Sequence, residues 1–116
     1  LIKVPKRLTG HLTLLISDVL IHIPNGGRRN PKEAARLKRM GVKAGVSDLF
    51  LTIANGNYSG LWIELKAPIV KGKDKPAVRP SQKEWIKTQL NQGYQALVCY
   101  GQDEAREAIT NYLNEK

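Results

Sequence analysis

The chain has 116 residues, and its 19 lysines and arginines outnumber its 10 aspartates and glutamates, for a formal net charge of +9. This length suffices for one domain, predicted over residues 1–116, whose core needs no disulfides. The single cysteine excludes an internal disulfide, and no apolar run approaches the roughly 20 residues of a membrane span. The positive charge favours a nucleic acid partner over a basic domain whose charge only aids solubility.

The first third of the chain is predicted to contain a helix, a strand and a second helix. Apolar residues recur at helical spacing in residues 8–18, and although the β-branched content argues otherwise, a short helix is predicted there. Residues 19–24 alternate as a strand does, and residues 25–31 have the composition of a turn or loop. The second helix has Asn30 as its N-cap and is predicted to end before Gly41.

Residues 45–68 are predicted to form a hairpin of two mostly apolar strands. Alternation along each strand assigns its side chains to two faces. The core face carries Leu49, Leu51, Ile53, Leu61, Ile63 and Leu65. The opposite face carries Asp48, Phe50, Thr52, Trp62, Glu64 and Lys66. If Gly56 is the centre of the turn, Asp48 lies directly opposite Glu64.

The rest of the chain adds a loop, a helix, a strand and a final helix. Residues 67–82 are basic and proline-rich and are predicted to be a mobile loop. The helix that follows has Ser81 as its N-cap and Gly93 as its terminator, and residues 94–101 form a strand bounded by glycines. Asp103 is predicted to cap the last helix, whose apolar stripe docks it on the sheet. That stripe is Ala105, Ala108, Ile109, Tyr112 and Leu113. The order α-β-α-β-β-α-β-α predicts a mixed α/β domain with a small central sheet.

The polar residues on the hairpin suggest a metal site. Like charges directly opposite on a sheet are destabilising, so Asp48 and Glu64 need a cation between them if both are ionised. Hard dications such as Mg²⁺ and Mn²⁺ take oxygen ligands, and the backbone carbonyl of Leu65 offers a further one. Lys66 lies on the same side of the strand, where an ammonium suits metal-assisted phosphodiester hydrolysis. The alternative is an exposed sheet face with ordinary charged residues, but the charge of +9 favours catalysis.

At these residues the chain resembles a PD-(D/E)XK nuclease, and more narrowly the VRR-NUC (virus-type replication-repair nuclease) domain. The resemblance is carried by five segments: "HIPNGGRR", "EAARLKRMGVKAGVSDLFL", "WIELKAP", "SQKEWI" and "GYQALVCYG". It implies a restriction-endonuclease-like fold and cleavage of DNA that depends on Mg²⁺ or Mn²⁺. By the same resemblance Asp48, Glu64 and the Leu65 carbonyl are metal ligands. Lys66 and Gln82 match the family's catalytic lysine and its characteristic glutamine.

Small standalone members of this family tend to form homodimers that act on branched DNA such as four-way (Holliday) junctions. The resemblance therefore implies a homodimeric junction-resolving endonuclease with DNA as partner and no membrane association. A cytoplasmic location is expected, in a bacterial nucleoid or a virus-infected bacterial cell. A monomeric flap or nick nuclease and a branched-DNA-binding module with an incomplete metal site are the alternatives.

Two departures from the family pattern bear on these alternatives. The usual proline before the first metal-binding aspartate is Ser47 here. The family also usually has a glutamate on its first helix that contributes to the metal site. In this sequence no glutamate precedes Glu33, and Asp18 is the only acid in that segment. This second departure is the reason for keeping the binding module as an alternative.

A glycine- and arginine-containing loop is predicted to contact DNA phosphates. It consists of Asn25, Gly26, Gly27, Arg28 and Arg29. Backbone amides freed by glycine, together with arginine side chains, suit phosphate, although the same residues also make an ordinary turn before a capped helix. Lys38 and Lys43 are predicted to extend the DNA path, with a solvated helix face as the alternative. Trp62 and Trp85 are predicted to be core or interface residues rather than base-stacking platforms.

Overall fold

A computed structural model describes residues 3–24 and 30–115 of the protein. Its four strands are β1 (Leu20–His22), β2 (Leu49–Leu51), β3 (Leu61–Lys66) and β4 (Gln95–Tyr100), in that order across one sheet. Its helices are α1 (Ile16–Val19), α2 (Pro31–Arg39), α3 (Pro80–Asn91) and α4 (Gln102–Asn114). β2 pairs antiparallel with both β1 and β3, whereas β3 and β4 run parallel. The predicted class, α/β with a small mixed sheet flanked by helices, is confirmed.

The hairpin of β2 and β3 has the register that the sequence predicts. Leu49 pairs with Ile63, Phe50 with Trp62, and Leu51 with Leu61. Each pair is symmetric about position 56, as expected for a turn centred on Gly56. One further step of this register puts Asp48 opposite Glu64.

One face of the sheet packs on α4 and holds the apolar core. Its buried residues include Leu51, Leu61 and Ile63 from the hairpin. The predicted stripe of α4 is confirmed, since Ala105, Ile109, Tyr112 and Leu113 are buried and Ala108 is partly buried against them. Burying a large apolar side chain contributes about 1.5–3 kcal/mol, so this face accounts for much of the stability. Among the described residues no helix is long and apolar enough to cross a membrane.

Aromatic residues cover the opposite face of the sheet, beneath α3. The rings of Phe50 and Trp62 stack with centroids 4.1 Å apart, and Trp85 of α3 meets Trp62 edge-on at 5.2 Å. Tyr94 completes the cluster with its ring centroid 5.9 Å from that of Phe50. Both tryptophans are therefore packing residues, as the sequence predicts. This cluster fixes α3 against the face of the hairpin that carries the polar residues.

The second helix is capped as predicted but is hardly buried. The side-chain oxygen of Asn30 accepts a hydrogen bond from the backbone N–H of Glu33 at 2.8 Å. No residue of α2 is buried. Its side chains include Lys32, Arg36, Lys38 and Arg39. The helix therefore presents a basic, solvated surface and adds little to the core.

The helix predicted for residues 8–18 is wrong. Only the first three residues of α1 are α-helical in that range, and a 3₁₀ turn over Lys6–Leu8 precedes them. Gly10 and His11 have positive φ angles of 61° and 74°, which end any right-handed helix at that point. Leu15 instead forms an isolated antiparallel bridge with Lys3.

The predicted caps of the last two helices are each two residues too late. Arg79 rather than Ser81 is the N-cap of α3, because Pro80 occupies the first helical position, which proline favours. Gly101 rather than Asp103 is the N-cap of α4, and its φ of 95° is one that glycine adopts without strain. Asp103 lies in the first turn, where its charge favours the helix dipole. The loop before α3 accordingly ends at residue 79, not 82.

Candidate active site

Two carboxylates, one from β3 and one from the loop just before β2, converge at the end of the hairpin. Glu64, in the middle of β3, is only 3% exposed. Asp48 lies in the loop just before β2, and its Oδ2 accepts a hydrogen bond from the backbone N–H of Leu65 at 2.8 Å. The Asp48 side chain thus bonds β3 just beyond the last paired residue of β2, and this contact holds it beside Glu64.

The electrostatics of Glu64 indicate a carboxylate that needs a cation. Burial raises the pKa of Glu64 above its ordinary value, and the nearby charge of Asp48 raises it further. Lys66 works in the opposite direction, with its Nζ 3.6 Å from Glu64 Oε1. The raising effects, burial first, outweigh the effect of Lys66, so the protonated acid is favoured unless a further cation stabilises the carboxylate.

Gln82, in the first turn of α3, links three parts of the site. Its side-chain Nε2 donates a hydrogen bond to Glu64 Oε1. Its Oε1 accepts hydrogen bonds from Lys66 Nζ and from the backbone N–H of Arg79, both at 2.8 Å. The amide therefore holds the acid and the ammonium together and also caps its own helix.

The residues present fit a hard divalent cation. Glu64 Oε2 is buried and has no hydrogen-bond partner among the described residues, a costly state for a carboxylate oxygen. Glu64 and Asp48 line one cavity of about 290 Å³, in which an ion and its waters have room. No group of three or more His, Cys, Asp or Glu side chains suited to a metal occurs in the described part of the chain. Two carboxylates completed by waters and substrate phosphate is the arrangement that Mg²⁺ favours.

Comparisons with known proteins identify the family of this chain. The family model of the VRR-NUC domain matches residues 11–103. This chain belongs to the VRR-NUC family. A solved structure named "VRR_NUC domain protein" is 40% identical, with a TM-score of 0.69, and the match covers 84% of this chain and 69% of that one. No curated protein matches the chain.

Membership in the VRR-NUC family makes the chain a nuclease domain of the PD-(D/E)XK type, a hydrolase acting on DNA. The structure brings Asp48, Glu64, Lys66 and Gln82 together, as the sequence predicts. Their catalytic roles stay predictions, as does the Leu65 carbonyl as a ligand. The Leu65 side chain departs from its predicted core position, because it lies beyond the last pair with β2 and is 36% exposed.

The predicted DNA-binding residues fall into two groups. Asn25, Gly26, Gly27, Arg28 and Arg29 lie outside the described residues, so their role stays a prediction. Lys43 lines the cavity that holds Asp48 and Glu64, and Lys38 joins it around a second cavity of about 380 Å³ beside α2. Both lysines are exposed, and their contact with DNA also stays a prediction.

Sequence reasoning missed Arg79 and the close approach of residues 42–46 to α3. Arg79 lines the cavity and donates its backbone N–H to Gln82. The signal was Pro80, which marks the first position of a helix and so makes its predecessor the N-cap. Asp18, the acid considered in place of the missing first-helix glutamate, accepts a hydrogen bond from the backbone N–H of Leu15 and acts as a local cap.

Gly45 sets the distance between α3 and residues 40–48, the loop that ends at Asp48. Its φ is +89°, and a Cβ there would lie 2.6 Å from the carbonyl carbon of Ser81 and 2.9 Å from its Cβ. We expect Gly45→Ala to lower the free energy of unfolding by about 2–4 kcal/mol, measured by chemical denaturation, because strain and overpacking add. Gly41→Ala is the matched control, since φ there is +101° but nothing lies within 4 Å of the added methyl. Equal losses in the two variants would contradict the close contact.

Proposed function

We propose that the protein is a divalent-metal-dependent, structure-specific DNA endonuclease that resolves four-way junctions as a homodimer. The observation that carries the metal dependence is the buried Glu64 beside Asp48, with one oxygen lacking a partner among the described residues. An acid pair of this kind binds a hard cation more readily than it stays doubly charged. The VRR-NUC match supports DNA as the substrate class.

In this proposal Asp48, Glu64 and the Leu65 carbonyl hold Mg²⁺ or Mn²⁺. When bound, the ion would lower the pKa of a water molecule and neutralise charge on the phosphate. Lys66 keeps its ammonium next to the acids through its 2.8 Å hydrogen bond to Gln82, and there it orients the attacking water or stabilises charge on the scissile phosphate. Gln82 positions Lys66 and Glu64 relative to one another, so both act at one phosphate.

The branched-DNA preference and the homodimer have more general support. Two active sites related by a two-fold axis would cut two strands of a junction symmetrically. The net charge of +9 suits a substrate with several converging phosphate backbones. Lys43 lies beside the proposed metal ligands, and Lys38 and residues 25–29 would extend the contact along the DNA.

A binding module without cleavage is the second candidate. In the described residues no third acid joins Asp48 and Glu64, and Asp18 is engaged with Leu15. The metal would then rely on water and DNA for its remaining ligands. If its affinity is too low at physiological concentrations, the protein binds branched DNA without cutting it.

Cleavage of an end-labelled four-way junction by the purified protein tests the proposal. We expect cleavage with Mg²⁺ or Mn²⁺, none with a chelator, none with Glu64→Ala, and a solution mass of two chains. Binding without cleavage at any Mn²⁺ concentration would select the binding module. A monomeric mass with cleavage of flaps or nicks would select the flap-type nuclease. Cleavage that survives in Glu64→Ala would contradict the proposed site.

A further inference from the structure

The segment between β3 and α3, residues 67–79, begins and ends at the candidate active site. It follows directly on Lys66 and finishes at Arg79. The Lys66 ammonium and the Arg79 backbone N–H both donate to Gln82 Oε1. DNA bound at the site therefore lies close to both ends of this segment, which we call the β3–α3 loop.

The far end of the loop, residues 69–73, forms a defined turn with an apolar tip. The backbone N–H of Lys73 donates to the Val70 carbonyl at 3.1 Å, and Gly72 has a φ of +81°. A glycine with positive φ in the third place of such a turn fits a type II turn. Ile69 and Val70 are 53% and 52% exposed. Two adjacent large apolar residues are thus exposed to solvent at a defined turn.

Two contacts hold the loop in place. Pro68 packs against Gly101, where an added Cβ would lie 3.1 Å from the proline Cγ. The Lys75 ammonium lies 4.5 Å from the ring centroid of Tyr100, a cation–π contact. The chain is therefore anchored on both sides of residues 69–73.

The charges around the tip select its partner. Lys71 and Lys73 follow the apolar pair and Asp74 comes next, but among the described residues neither lysine forms an ion pair with an acid. Two copies of this tip would meet with a net positive charge on each, because Lys71 and Lys73 outnumber Asp74, and such a dimer contact is unfavourable. DNA with exposed base faces complements this tip, because its phosphates suit the lysines and its base faces suit the apolar pair. Isoleucine and similar apolar side chains inserted at base steps are a known way to hold open or kinked DNA.

We propose that residues 69–73 are a wedge that places Ile69 and Val70 against unstacked bases at the branch point, next to the phosphate being cut. Lys71 and Lys73 contact the flanking phosphates. This inference rests on the proposed nuclease function and names the residues that give it a preference for branched over duplex DNA.

The test compares Ile69→Ser/Val70→Ser with the wild type on a four-way junction and on linear duplex of the same sequence. The expected result is a loss of roughly tenfold in junction cleavage with less than about twofold change on duplex, because only the junction has a branch point at which a side chain can readily interrupt base stacking. In a Glu64→Gln background, a fluorescent adenine analogue at the branch point should brighten on binding. That increase should disappear with the serine pair.

Leu12→Ser/Leu90→Ser is the matched control, since both leucines are exposed and lie outside the loop. It should leave the junction-to-duplex ratio and the fluorescence unchanged. An unchanged ratio in Ile69→Ser/Val70→Ser, an equal loss on both DNAs, or a shift of its solution mass from dimer to monomer overturns the wedge. If the wild type cuts no DNA, the nuclease proposal itself fails, so the two failures are distinguishable.

Discussion

Glu64→Gln is expected to reduce DNA cleavage by about a thousandfold or more, the equivalent of several kcal/mol of transition-state stabilisation, while the fold persists. The substitution keeps the shape of the side chain, and its Oε1 still accepts from Gln82. It removes the negative charge that a dication needs. Since burial and Asp48 make that charge unfavourable, the variant should be at least as stable as the wild type near neutral pH in a chelator.

The pH dependence of the free energy of unfolding tests the predicted stability of Glu64→Gln relative to the wild type. The folded-state pKa of Glu64 is raised, so folding favours the protonated acid. Below the unfolded pKa the acid is protonated in both states and adds no penalty. As pH rises through the unfolded and then the raised folded value, the wild type loses stability that Glu64→Gln keeps. Unfolding in a chelator over about pH 4 to 8 measures the difference between the two proteins.

A titration with Mg²⁺ or Mn²⁺ separates metal binding from chemistry. The ion should raise the Tm of the wild type and leave that of Glu64→Gln unchanged, because only a native site that binds it gains stability. Glu107→Gln, an exposed glutamate on α4, serves as the control and should behave as the wild type. An equal Tm increase in Glu64→Gln would show that Glu64 is not a ligand.

Lys66→Met is expected to reduce cleavage by about 10²–10⁴-fold, the range for a positioned acid–base or charge-stabilising group. Methionine keeps the length of the side chain and removes the ammonium that bonds Gln82. No oxygen ligand is lost, so the increase in Tm with Mg²⁺ should persist. Dication binding without cleavage would show that the variant is folded, because an unfolded variant would lose both.

Lys87→Met is the matched control for this second substitution, because Lys87 is an exposed lysine of α3. It removes the same charge and should leave cleavage within a fewfold of the wild type. Cleavage by Lys66→Met at near wild-type rates would remove the lysine from the chemistry. Loss of the Tm increase would instead assign Lys66 a role in holding the acids.

The sequence predicted the hairpin side of the site because strand geometry is regular. Alternation with a period of two puts Asp48, Glu64 and Lys66 on one face whatever the rest of the fold does. The symmetric turn around Gly56 then fixes the register. The same rule failed for Leu65, since alternation says nothing about where a neighbouring strand ends.

The α3 side of the site was harder to predict. Side-chain preference favoured Ser81 as the cap, but Pro80 set the helix start two residues earlier. Gln82 consequently occupies the turn position from which it reaches back to Arg79 and across to Glu64. Contacts between residues 18 apart in sequence depend on how α3 packs on the aromatic cluster, and a local pattern does not encode that packing.

The lack of buried residues in α2 affects how its surface meets a polyanion. Isolated helices of nine residues are marginal in water, so this one depends on its cap and on few tertiary contacts. In the proposed complex with DNA, attraction to its lysines and arginines and the ordering of its backbone would therefore be linked in a single binding step. Added salt would weaken that step by screening the charges, and warming would weaken it by melting the helix. Both should therefore lower the affinity of this surface for DNA.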